Sequence, residues 1–183
     1  MTDMQLFDVP TAGWSGLNID VLYDKSGINP DLFRCSYICP TVRALFKFFV
    51  SILAKDSKFY DRYRLVEFDA EGWKWYLGYT DNKLFLLVDN LREASYEATP
   101  YISFSLKDNL SIADLAEAWL NSYKNNTDAW LGWDYAYSKA SSIFKDEFYT
   151  EDEIKEYSKE IELTKSYARK LEELIKEYRG EKK

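Results

Sequence analysis

The chain has 183 residues, of which 46% are hydrophobic and 17% aromatic, and it carries a formal charge of −7. That length suits one domain, or one domain with an appendage, and that apolar content fills a core, so a wholly disordered chain is excluded. Histidine is absent, which removes His-based triads, His general bases and ordinary His-containing zinc sites, and the acidic balance argues against wholesale binding of nucleic acid.

Residues 1–16 mix Asp, Pro, Gly and apolar side chains and read as an arm or short irregular lead-in. Their start, MTDMQLFDVP, lacks the basic opening of a secretory signal, so a cytoplasmic location is expected. Leu17–Tyr23 alternates between apolar and polar positions and predicts a strand, ended by Asp24-Lys25-Ser26-Gly27; Asn29-Pro30-Asp31 marks a further turn. Cys35 and Cys39 are the only cysteines. Their C-x3-C spacing has no second pair to complete a metal site, and two reduced thiols are the favoured state, with a disulfide as the alternative. A Cys39 that opens a helix would have a somewhat acidified thiol.

Pro40 suits the first turn of a helix reaching about Lys55. Val42, Leu45, Phe46, Phe49, Ile52 and Leu53 form its apolar stripe, with Arg43, Lys47, Ser51 and Lys55 on the opposite, solvated side. Three strands in a meander follow, at Arg62–Phe68, Trp73–Tyr79 and Lys83–Asp89, separated by turn formers at residues 69–72 and 80–82. Period-two alternation places Trp73, Trp75, Leu77 and Tyr79 on one face of the middle strand and Lys74, Tyr76 and Gly78 on the other. The apolar face must be covered, and the 40–55 helix is its natural lid.

Leu91–Thr99 is acidic and loop-like, and Tyr101–Leu106 alternates as a further strand. Ser111 with Asp114 resembles a capping box opening a helix to about Tyr123. Asn125-Asn126-Thr127 interrupts it, and a second helix follows from Asp128 to about Phe144, weakened by Gly132. Thr150 with Glu153 forms the clearest capping box, opening a helix from Glu151 to Arg179 some 40 Å long. Ile154, Tyr157, Ile161, Thr164, Ala168, Leu171, Ile175 and Tyr178 make a heptad seam in it, flanked by Leu163, Tyr167 and Leu174. The seam either packs back on the preceding helices, the favoured arrangement, or joins a second copy in a homodimer through 151–179. The expected fold is α+β, a small mainly antiparallel sheet packed by a helix in residues 1–109, then a helical segment in 110–183 ending in the long helix, the two forming one unit.

Charge is distributed unevenly. Residues 34–64 hold seven bases, Arg34, Arg43, Lys47, Lys55, Lys58, Arg62 and Arg64, against Asp56 and Asp61. Interleaved with Phe59, Tyr60 and Tyr63, they offer an RNA contact through stacking and phosphate binding, beside the simpler role of solvating the first helix. Asp146, Glu147, Glu151, Asp152 and Glu153 form the densest acidic group; part of it is explained by the helix dipole, and it also suits docking on a basic groove of a protein partner. Catalytic signals are sparse. Glu67, Asp69 and Glu71 with Lys74 are the best constellation for a metal-dependent nuclease, but the spacing departs from the usual acid-x-Lys arrangement and an exposed acidic turn explains it as well. There is no Walker loop, dinucleotide fingerprint or nucleophile elbow, so no cofactor and no metal is expected, and no stretch approaches the about 18 apolar residues of a membrane span.

In its acidic balance, dense Tyr, Trp and Phe, missing catalytic signature and Lys/Glu-rich helical end, the chain resembles the small anti-CRISPR and anti-restriction inhibitors carried by phages and mobile elements. Toxin-immunity proteins share most of these traits. The resemblance implies a non-enzymatic inhibitor that binds a nuclease or nucleoprotein complex and blocks its nucleic-acid surface. The basic 34–64 stretch departs from a pure DNA mimic.

Overall fold

A computed structural model describes residues 4–11, 14–18, 33–36, 41–54, 65–69, 74–80, 83–89, 101–104, 110–132 and 151–180. Their order is β1 (Trp14–Gly16), β2 (Arg34–Ser36), α1 (Thr41–Ala54), β3 (Leu65–Asp69), β4 (Lys74–Thr80), β5 (Lys83–Asp89), β6 (Tyr101–Phe104), α2 (Ile112–Asn125) and α3 (Glu151–Tyr178), with helical turns at 127–132. The architecture is α+β, as expected.

The meander β3-β4-β5-β6 is antiparallel throughout. Thr80 pairs with Lys83, so the β4–β5 hairpin closes over two residues. Pairing of Phe68 with Trp75 and of Val66 with Leu77 brings the apolar positions to one face, where Val66, Phe68, Trp75, Leu77, Tyr79, Leu84 and Leu86 are buried. Trp73 lies outside the described residues, as do 19–23 of the expected strand at Leu17–Tyr23, Pro40, Cys39, and the Thr150 of the expected capping box. Leu17 itself is buried and bridges Phe7.

The lead-in is not a loose arm. Leu6 and Phe7 are each only 1% exposed. Phe7 lies 6.4 Å from Trp75 and 5.8 Å from Phe68 on the sheet side, and 5.8 Å from Trp119 and 6.3 Å from Trp130 on the helix side, meeting the latter two edge-on. A buried extended segment must satisfy its amides. Leu6 and Phe7 donate theirs to Ser122 Oγ at 2.9 and 3.2 Å, and the same hydroxyl donates to the Ala118 carbonyl. The Leu6 carbonyl accepts from the Asn18 amide. β1 and β2, neither of which the alternation pattern predicts, form a separate antiparallel pair beside it.

In α1 the predicted stripe is buried, and so are Thr41, Phe48 and Ser51. The side expected to face solvent is covered by α3, against which Arg43 and Lys47 lie. α2 opens with the expected capping box: Ser111 Oγ accepts from the Asp114 amide at 3.2 Å, and Asp114 Oδ2 accepts from the Ser111 amide at 2.7 Å. The described part of the α3 seam packs within the chain, with Thr164, Ala168, Leu171 and Ile175 buried and flanking Leu174 beside them; Leu163 and Tyr178 are exposed, and the side chains of Ile154 and Tyr157 lie outside the description. One continuous apolar cluster runs from Leu6 through the sheet to Ile175 and so joins the two segments. Among the described residues no helix is long and apolar enough to cross a membrane.

Candidate functional site

Two surfaces carry the sequence-predicted site residues. The first is the outer face of the meander. Asp69 pairs with Lys74 and Glu67 with Tyr76 across β3 and β4, so these four share that face with Leu65. Lys74 Nζ donates to Glu67 Oε1 at 2.5 Å, and this contact, foremost among the influences on it, raises the lysine's pKa. Both groups are largely solvated, which leaves the pair a weak tie. Glu71 lies outside the described residues. Among the described residues no cluster of three acids, cysteines or histidines is gathered as a metal site. What the arrangement offers is a lysine engaged by one carboxylate on an open strand surface.

The same face has an apolar part that sequence reasoning missed. Gly78 pairs with Phe85, and the phenyl ring lies across the glycine so closely that a Cβ there would stand 2.0 Å from Phe85 Cζ. The signal was the one glycine in an otherwise bulky strand.

The second surface is α3. Glu151, Asp152 and Glu153 form its first turn; Asp146 and Glu147 lie outside the described residues. Residues 146–160 contain seven acids and two bases, whereas 161–179 contain four acids and five bases. The helix is therefore acidic at its start and balanced beyond. In the balanced part the charges are paired: Glu162 with Lys165 and Arg169, Glu172 with Lys124 and Lys176, Glu173 with Lys170. The hydrogen bond from Lys165 holds the Glu162 carboxyl below the ordinary glutamate range, and that from Lys124 does the same for Glu172.

The basic candidates are engaged inside the molecule where they are described. Arg43 pairs with Glu160 of α3. The Lys47 ammonium sits 5.9 Å from the centre of the Tyr167 ring, and the Arg34 guanidinium 5.3 Å from that of Trp14. Arg62 and Arg64 lie outside the described residues.

A third charged group, Arg179 with Asp114 and Glu117, was not singled out by spacing because Arg179 lies more than sixty residues from the two acids. Arg179 Nη2 donates to Asp114 Oδ1 at 2.6 Å and to Glu117 Oε2 at 2.9 Å, tying the end of α3 to the first turns of α2. Burial pushes the Asp114 carboxyl up, but its bonds from the Ser111 amide and hydroxyl and from Arg179 together outweigh that and hold it below the usual range. The bond to Glu117 is foremost in raising Arg179. Gly180, at φ 74°, ends the helix just beyond. Comparison of the chain with protein-family models, with curated proteins and with solved structures finds no match.

Proposed function

We propose that this protein is a non-enzymatic inhibitor that lays the acidic start of α3 on a basic, nucleic-acid-binding surface of a defence nuclease, in the manner of anti-CRISPR and anti-restriction proteins. One observation carries the proposal: α3 divides the charge. Its own Glu160 and Tyr167 engage Arg43 and Lys47, two of the seven bases in the 34–64 stretch that count against an acidic docking protein. The acid excess lies in residues 146–160, towards the start of α3. An anionic helix end of this kind is attracted to a polycationic groove and speeds encounter with it.

The test is inhibition of a panel of CRISPR and restriction nucleases at low and high salt. Inhibition of at least one member is expected, weakening as salt rises, with nucleic acid competing for the same enzyme. The variant Glu151→Gln/Asp152→Asn/Glu153→Gln keeps helix-forming side chains and is expected to lose about tenfold in affinity, on the order of 1.4 kcal/mol. Indifference across the panel, or a neutralised variant that inhibits as well as the parent, removes the reading.

A further inference from the structure

We propose that residues 160–167 of α3 are a detachable part of its contact with the basic side of α1, giving way near Ala168 to a firmly held end. The inference stands on the helix contacts alone and does not depend on what the acidic end binds. Between residues 160 and 167, α3 meets α1 through an ion pair, Arg43 on Glu160, and a cation over a ring, Lys47 over Tyr167, while the apolar parts of Ile161 and Tyr167 are only partly buried at the edge of the core. Thr164 falls between these two contacts, one turn after Glu160 and three residues before Tyr167 on the same helical side. It is 0% exposed, yet its hydroxyl has no hydrogen-bond partner, and neither has the buried Nε of Arg43. From Ala168 onward the contacts change character. Ala168, Leu171, Leu174 and Ile175 are buried, and Lys124–Glu172 and Arg179 with Asp114 and Glu117 fasten the helix to α2.

Opening each half has a different consequence. Lifting 160–167 returns an ion pair and two unsatisfied polar groups to water, which solvates them. Lifting 168–175 exposes four apolar side chains, which water opposes. The small side chain of Ala168 marks the change from one kind of contact to the other. Local opening follows the segment with fewer apolar contacts, and here it parts Arg43 and Lys47 from their contacts on α3.

Amide hydrogen exchange on the full chain separates this from ordinary end fraying. Residues 160–167 lie at the middle of α3 and 168–175 nearer its C-terminal end, so fraying protects the first segment at least as well as the second. A detachable contact predicts the reverse, with 160–167 exchanging about tenfold faster than 168–175. Thr164→Val removes the unsatisfied hydroxyl while keeping the branched shape, and is expected to slow exchange of 160–167 about fivefold, with 168–175 slowed no more than the gain in global stability requires. Equal protection of the two segments, or a Thr164→Val protein that exchanges like the parent, overturns the inference.

Discussion

Around Phe7, rings from the N-terminal segment, the sheet, α2 and the helical turns after it meet edge-to-face and stacked; the Leu6 and Phe7 amides and the Trp75 and Trp130 indole N–H groups are bonded, and the indole N–H of Trp119 is buried without a partner. Along α3 the contacts are mixed: a short apolar stripe, several ion pairs and a hydroxyl left without a partner. Both junctions belong to one apolar cluster, but their stabilisation differs in kind. The first rests on large rings removed from water and does not depend on salt or pH. The second depends on charges that salt screens and acid neutralises. A region meant to stay closed and a region able to open are expected to differ in this way.

The sharpest break in that comparison is Phe7→Ala. It empties the centre of the aromatic junction and is expected to lower unfolding stability by about 3–5 kcal/mol, read from denaturant titration, with the midpoint shift independent of salt. A loss under about 1 kcal/mol, the scale of a surface change, would show that the N-terminal segment is dispensable to the core.

Phe7 also shows where sequence reasoning reached its limit. The meander, the stripe of α1, the Ser111–Asp114 box and the long final helix were legible because each is written in local period or in a cap within four residues. Leu6-Phe7 lacks such a period, and its docking depends on Ser122, more than a hundred residues away. The site candidates divide in the same way. The relation of Glu67, Asp69 and Lys74 followed from strand alternation. The engagement of Arg43 and Lys47 by α3 did not, because a helix that looks amphipathic alone can have its polar side covered by another polar helix.

Next in expected size is Gly78→Ala, which probes the sheet opposite the aromatic junction. The new methyl displaces the Phe85 ring, and a loss of about 1–3 kcal/mol follows from the overpacking. In a Phe85→Ala background the same substitution is expected to be nearly neutral, so a double-mutant cycle gives a coupling close to the single loss. Additive losses would mean that the glycine is required by its backbone and not by the ring.

Arg179→Met tests the charged junction directly. About 1–2 kcal/mol is expected to be lost at neutral pH and low salt, the range for hydrogen bonds to charged groups that are partly exposed. The pH dependence has a definite sign. Asp114 is held below its unfolded value of about 3.9, so its contribution is complete above that value and disappears as pH falls through the folded-state pKa. Thermal unfolding of the parent from pH 6 to pH 2 is therefore expected to fall towards that of Arg179→Met, and the two curves to converge in acid. Parallel curves would assign the effect of Arg179 to packing of its stem.

Thr164→Val is expected to have the smallest effect and is the only one of these substitutions that strengthens the protein. A buried hydroxyl without a partner has lost its water and gained nothing in exchange, a penalty of about 1–3 kcal/mol in principle, part of which relaxes locally. Valine keeps the branched outline and similar helix propensity, so the comparison isolates the oxygen. A gain of about 0.5–1.5 kcal/mol is expected, with the salt dependence unchanged because no charge is altered. Its size relative to Phe7→Ala measures the contrast between the two junctions. If the valine protein is instead less stable, the hydroxyl is satisfied in solution, the middle of α3 is held as firmly as its end, and the distinction between a closed junction and an openable one disappears.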